Sequence, residues 1–223
     1  MVCYNVYLML KLLIFDLDGT LADTAQDITN ALNYCLEPFD TNKYSVAETK
    51  MMVGSGMTKF FSSLVLTLKG VDSPKATELI TRRFIDFYSE HMVDNTRLYP
   101  HVKKTLSKLT GYKMAVLSNK REGFSKKILA DLDILQYFDL LWGSDSVREK
   151  KPSPIPILDL MEKFGVSKEE TAIIGDSNFD VEAGRAAGIK VIGVTYGFRP
   201  REYLEGSDHI IDGFEELSDI LSR

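Results

Sequence analysis

Four small groups of polar residues are spaced along this chain in a way that suits joint chemistry. Asp16 and Asp18 form a D-x-D pair followed by Gly19-Thr20. Ser118 and Asn119 are adjacent, Lys151 follows Lys150 and precedes Pro152, and Asp176 stands four residues before Asp180. Carboxylates gathered at such density repel one another. Within about 4 Å, each pair costs roughly 4 kcal/mol at an effective dielectric near 20. A dianionic phosphate would not approach that cluster unaided. A hard divalent cation removes the repulsion, and Mg²⁺ characteristically binds through a few carboxylates plus substrate phosphate. A lysine at the same place adds positive charge for a transferring group. Acids for a metal and a cation for a phosphate are the two halves of a phosphoryl-transfer site.

Taken singly, each group has a plainer reading. Ser118-Asn119 suits a helix N-cap or a turn, and Asp176 suits a cap as readily as a ligand. D-x-D-G can open a calcium loop, but the third acid and closing Glu of that loop are absent at the expected places. The three histidines are scattered, and Met51-Met52 and the phenylalanines read as core.

What joins the groups is the order of elements around them. Leu10 to Phe15 is an apolar run broken only by Lys11, as in a strand buried on both faces, and it ends at Asp16. Lys113 to Leu117 reads as a strand ending at Ser118, and Thr171 to Ile174 as one ending at Gly175-Asp176. Leu140 to Trp142, Ile189 to Val194 and His209 to Ile211 read as further strands. Helices are expected between them: through Val102, Leu106 and Leu109 to a stop at Gly111, through Phe124, Ile128 and Leu132, from Pro154 through Ile157, Met161 and Phe164, over Asp180 to Ala187 with a stop at Gly188, and through Phe214, Leu217 and Leu221. Alternation of this kind predicts an α/β, Rossmann-like, doubly wound parallel sheet, in which ligands sit beyond the carboxyl ends of the strands. All four polar groups then meet at one edge.

The rhythm is interrupted once. From Thr24 to Thr96 nothing reads as a strand, whereas Phe60, Leu64 and Leu68 share one helical face and Ile80, Phe84, Phe87 and His91 another. The expected division is a core of residues 1–22 and 97–223 with a small helical domain, 23–96, inserted after the first strand.

Composition narrows the partners. The chain has 223 residues with a formal net charge of −5, which disfavours a nucleic-acid partner. Lys103, Lys104 and Lys108 have the spacing of one solvated helix face. The start, MVCYNVYLML, lacks a basic region and a cleavage site and is too short to span a bilayer. The segment is read as running into the first strand, with a start at Met9 as the alternative, which would make residues 1–8 an accessory tail. Two cysteines, Cys3 and Cys35, give neither a disulfide framework nor a zinc spacing, so a cytoplasmic location without membrane attachment is expected.

The runs DLDGTLADT (16–24), LSNK (117–120), KKPSP (150–154) and GDSNFDVEAGRAAG (175–188) resemble the four motifs of the haloacid dehalogenase superfamily, and more narrowly its phosphoglycolate phosphatase-like members. The resemblance extends over the chain from Met9 onward, and the helical insertion looks like that group's cap, with Val53-Gly54-Ser55-Gly56 similar to its cap loop. It implies Asp16 as nucleophile and Mg²⁺ ligand. It implies Asp18 as general acid and then base, with its backbone carbonyl on the metal. Ser118 and the Asn119 amide would hold the phosphate and Lys151 would neutralise it. Asp176 would complete the metal site, with Asp180 in or beside its shell. The function so implied is Mg²⁺-dependent hydrolysis of a small phosphorylated metabolite such as phosphoglycolate, by a monomer or homodimer. A sugar-phosphate mutase of the β-phosphoglucomutase type and an inorganic pyrophosphatase would use the same site. Dehalogenation is disfavoured because Asp18 is present, and phosphonate cleavage because its motif does not usually keep that acid.

Overall fold

A computed structural model describes residues 10–39, 41–54, 61, 64 and 73–222. Among them the chain divides into two compact units. One runs up to Asp23 and resumes at Leu98, and the other is Thr24–Arg97.

The first unit is built on a six-stranded sheet in the order β5-β4-β1-β6-β7-β8. Its strands are β1 (Leu12–Phe15), β4 (Lys113–Leu117), β5 (Leu140–Trp142), β6 (Thr171–Gly175), β7 (Lys190–Val194) and β8 (His209–Ile211). Every pairing is parallel. Each residue of β1 has no exposed surface, which is why LLIF carries no polar alternation: both faces of the central strand are covered. Helices supply the cover. In chain order, and numbered after three helices of the other unit, these are α4 (Val102–Leu106), α5 (Glu122–Asp131), α6 (Ile155–Phe164), α7 (Asn178–Ala187) and α8 (Glu216–Ser222). Ile157 and Leu160 of α6 and Val181 and Ala183 of α7 join Leu12, Ile14 and Ile173 in one buried cluster. Gly188 ends α7 in a left-handed conformation, φ 73°, as its position predicts. One expected stop differs. α4 already ends at Leu106, and Gly111 lies in a later turn with no left-handed φ. A turn through Thr105–Lys108 and Leu106–Leu109 hydrogen bonds closes the element before the glycine is reached. Lys103, Lys104 and Lys108 are exposed.

The chain winds from β1 to β4 and β5 on one side, then to β6, β7 and β8 on the other, so the direction of winding reverses at β1. At such a reversal the connections diverge and leave a crevice beyond the strand ends. Phe15 is level with Val116 of β4 and Ile174 of β6, which puts Asp16, Ser118 and Asp176 on three adjacent strand ends. Two-residue strands β2 (Ala22–Asp23) and β3 (Arg97–Leu98) pair where the chain leaves and returns.

The second unit contains α1 (Ala25–Leu36), α2 (Val46–Met52) and α3 (Ser73–His91), together with buried Phe61 and Leu64. Phe60, Leu68, Ser55 and Gly56, on which a helical face and a loop were expected, lie outside the described residues, as do residues 1–8 and Cys3. In α3 the buried stripe runs Ala76, Ile80, Phe84 and Tyr88, at i, i+4 spacing. Phe87 and His91, expected beside Ile80 and Phe84, are only half-buried. Phe87 stacks on Tyr34 of α1 at 4.4 Å and His91 on Phe87 at 4.3 Å, so a row of rings draws that edge aside. Cys35 is buried and unbridged.

A buried carboxylate organises this unit. Asp27, 1% exposed, accepts from the amides of Asn95 and Thr96, from Asn95 Nδ2 and from Thr96 Oγ1, all at 2.8–3.0 Å. It thereby ties α1 to the segment that follows α3. Replacing it leaves the amide and hydroxyl of buried Thr96 unsatisfied, at about 1–3 kcal/mol for each group, whereas exposed Asn95 can turn to water. Asp27→Ala is expected to lose about 3 kcal/mol of stability, read as a lower urea midpoint.

Candidate active site

The site begins where β1, β4 and β6 run out. The Asp16 amide still bonds across to the Ile174 carbonyl at 3.0 Å, so the residue is held in the sheet while its side chain faces the crevice. Its Oδ1 accepts from the Leu17 amide at 2.7 Å, and Oδ2 stands 3.1 Å from Lys151 Nζ. That ammonium also reaches Asp180 Oδ1 at 2.6 Å. The other oxygen of Asp180 accepts from the amide and hydroxyl of Ser177, closing a capping box at the start of α7. Asp180 is therefore anchored on both oxygens. Lys150, the neighbour that competes for the same role by sequence, is half-buried, whereas Lys151 is 3% exposed.

Asp176 closes the cluster. It is 2% exposed, with Oδ2 receiving the Phe198 amide at 2.6 Å and Oδ1 near Thr20 Oγ1 at 3.4 Å. Two glycines make room for it. A Cβ on Gly19, whose φ is +83°, would fall 2.1 Å from Asp176 Oδ2, and one on Gly197 would fall 2.3 Å from the Asp176 Cβ. No other residue fits at either place without moving the carboxylate.

The structure thus brings Asp16, Asp176 and Asp180 within 4.8 Å of one another through their carboxylate oxygens. Asp18, the fourth expected acid, keeps its carboxylate out of that group among the described residues. Its Oδ1 is paired with Lys120 Nζ at 3.0 Å. Ser118 is 2% exposed, with its amide on the Trp142 carbonyl at 3.0 Å and its Oγ accepting from the Lys120 amide at 3.2 Å. Asn119 Nδ2 donates to the Lys151 carbonyl at 2.8 Å and so binds the loops after β4 and β5 together.

The electrostatics follow. Burial pushes the Asp16 carboxyl up to about 7; Asp180 and Asp18 add to the shift, and Lys151 and the Leu17 amide oppose it. Burial likewise raises Asp176 well above its ordinary value, helped by Asp16 and Asp180. Burial alone would lower the Lys151 ammonium, but Asp16 and Asp180 outweigh it and hold it above the usual lysine value. Asp16 and Asp180 pair with Lys151 and Asp18 with Lys120, and Asp176 adds a fourth carboxyl, so with all four ionised the formal excess is two negative charges. One divalent cation cancels it, and a set of carboxylate oxygens suits Mg²⁺.

Residues 13–194 match the model of the haloacid dehalogenase-like hydrolases. This chain belongs to that family. Within haloacid dehalogenase-like hydrolases it is similar to the phosphoglycolate phosphatase of Aquifex aeolicus, 38% identical over 191 residues that span 85% of this chain and 86% of that protein. The phosphoglycolate phosphatase of Photorhabdus laumondii is 35% identical, with 93% and 91% covered. A crystal structure described as a predicted phosphoglycolate phosphatase from Haemophilus somnus superposes with a TM-score of 0.88 at 30% identity, covering 95% of this chain and 98% of that one. Lys120, Thr20, Gly197 and the Phe198 amide were not expected here. Lys120 and Thr20 left a signal, as members of the LSNK and DLDGTLADT runs.

Proposed function

We propose that this hydrolase is a Mg²⁺-dependent phosphatase that removes phosphate from a small, phosphoglycolate-like monoester through an aspartyl-phosphate on Asp16. The observation that carries the reading is the division of labour among the acids. Asp16, Asp176 and Asp180 are close enough to share a cation, while Asp18 stands apart on a different ammonium. The relatives bearing the name phosphoglycolate phosphatase support the substrate class.

Asp16 and Asp176 would hold Mg²⁺, with the Asp18 backbone carbonyl as a further ligand and Asp180 beside them. Bound there, the ion would offset the negative charge of the acids and of the arriving phosphate. The remaining steps belong to the chain's own groups. Ser118 and the Asn119 amide orient the phosphoryl oxygens, and Lys151 spreads their charge. An Asp16 carboxylate oxygen bonds to phosphorus as the bond to the ester oxygen breaks, and Asp18 gives its proton to that departing oxygen. Asp18 then takes a proton from water, whose oxygen bonds to phosphorus as the Asp16–phosphorus linkage breaks, releasing phosphate and restoring both carboxyls. Two moderate displacements replace one very slow one. The helical unit takes the part of the family's cap in this reading, and the cytoplasm is its compartment.

The test is phosphate release with Mg²⁺ from phosphoglycolate, pyrophosphate and hexose phosphates. Phosphoglycolate is expected to be turned over with the highest kcat/KM. Preferential release from pyrophosphate would shift the reading to a pyrophosphatase, and isomerisation of a hexose phosphate without release would shift it to a mutase. No release from any of them would end the proposal.

A further inference from the structure

The proposed reaction asks two neighbouring carboxyls to do different work, one bonding to phosphorus and one handling the proton. Residues 16 and 18 are close in sequence and of one type, so something else must separate them. The structure places a different ammonium on each. Lys151 bridges Asp16 and Asp180. Lys120 Nζ lies 3.0 Å from Asp18 Oδ1, and those two side chains are only 8% and 9% exposed.

The Lys120 backbone is fixed at both ends of its peptide. Its amide donates to Ser118 Oγ at 3.2 Å, and its carbonyl accepts from the Ser144 amide at 2.8 Å. It therefore projects from the loop after β4, the strand paired directly with β1. An ion pair so shielded from water is less screened than an exposed one, and neutralising one partner removes a close constraint on where the other side chain sits. The pair also spans the two loops that meet the phosphoryl group in the proposed mechanism.

We propose that Lys120 is a positioning residue for the proton-transfer step. It holds the Asp18 carboxyl in the orientation from which that group meets the leaving oxygen. The inference rests on the reading of Asp18 as proton donor. In this inference Lys120 acts on the reaction through Asp18, the group its ammonium pairs with. That dependence gives a signature. An alkyl ester departs as a poor leaving group and needs its proton, whereas p-nitrophenolate departs readily without one. A group that serves only the proton-transfer step matters more for the first than for the second.

Lys120→Met keeps the unbranched apolar stem and removes the charge. The kcat/KM values of the Mg²⁺-loaded variant on phosphoglycolate and on p-nitrophenyl phosphate are compared with those of the unaltered protein. General acid–base groups contribute about 10²–10⁴-fold. The expected result is a loss of about 100-fold on phosphoglycolate and a loss at least tenfold smaller on the aryl ester. Asp18→Asn is expected to discriminate in the same sense. The double variant Lys120→Met/Asp18→Asn should fall within about threefold of Asp18→Asn alone, because coupled groups are not additive. Lys120→Gln, a polar and neutral replacement, serves if the methionine variant melts below the assay temperature. Equal losses on the two esters, or losses that multiply in the double variant, overturn the inference and leave Lys120 a structural pair only. An unaltered protein that hydrolyses neither ester overturns the reading on which it rests, and the inference with it.

Discussion

Asp16→Asn is expected to remove turnover of every phosphate ester by at least about 10⁴-fold while making the metal-free protein more stable at neutral pH. The first half follows from chemistry, since an amide cannot displace an alkoxide from phosphorus and no neighbouring acid has the same place on β1. The second half follows from charge. In the folded, metal-free protein the Asp16 carboxyl is raised from 3.8 to about 7, chiefly by burial. An acid whose folded value is raised binds its proton more tightly in the native state than in the unfolded one. Stability from this source is therefore present below pH 3.8 and is lost as the pH rises through about 7. At about 1.4 kcal/mol per unit, the loss is on the order of 4 kcal/mol. Asparagine carries no such charge. In EDTA the variant should melt above the unaltered protein at pH 8, above it by less at pH 5, and close to it only near pH 3.8. Mg²⁺ should stabilise the unaltered protein increasingly over that range and the variant much less. A variant that melts lower than its parent at pH 8 in EDTA would show that the Asp16 charge is not opposed by its surroundings.

This double character shows which parts of the molecule sequence alone reveals. Strands were legible because a sheet covered on both faces tolerates no polar alternation, as in LLIF of β1 and TAIIG of β6. Helix stops were legible where glycine takes a left-handed φ, as at Gly188, and illegible where a turn closes the element first, as after Leu106. Strand-end acids were legible because parallel strands bring their carboxyl ends together. The pairing of those acids was not. D-x-D looks like two equivalent ligands, yet Asp16 goes to Lys151 and Asp18 to Lys120, and only the loops after β4 and β5 decide it. The support of Asp176 was equally silent, because a backbone amide from Phe198 and the missing side chains of Gly19 and Gly197 have no charge or periodicity to read. The face of α3 was half right for a related reason: helical period marks a side, but partners such as Tyr34 decide how far it extends.

Lys151→Met is expected to cost more stability than any other single change at the site, about 3–5 kcal/mol, and to lower kcat/KM by at least about 10³-fold. Lys151 is 3% exposed, and its ammonium lies between Asp16 Oδ2 and Asp180 Oδ1. Taking three charges out of water is tolerable only while opposite signs face each other. With methionine the volume is nearly kept, but two carboxylates remain together without their cation. The loss should be greater at pH 8 than at pH 5, since a proton on Asp16, whose carboxyl is raised to about 7, can offset the missing ammonium only at the lower pH. Adding Asp180→Asn removes one of the stranded charges, so the double variant should recover about half of the lost stability without recovering activity. Arginine is no substitute, because a planar guanidinium cannot occupy the point between two carboxylates that a compact ammonium fills. Urea midpoints for the three variants at the two pH values decide the matter. A Lys151→Met protein as stable as its parent at pH 8 would mean that the lysine is not what makes the acidic edge tolerable in the metal-free fold.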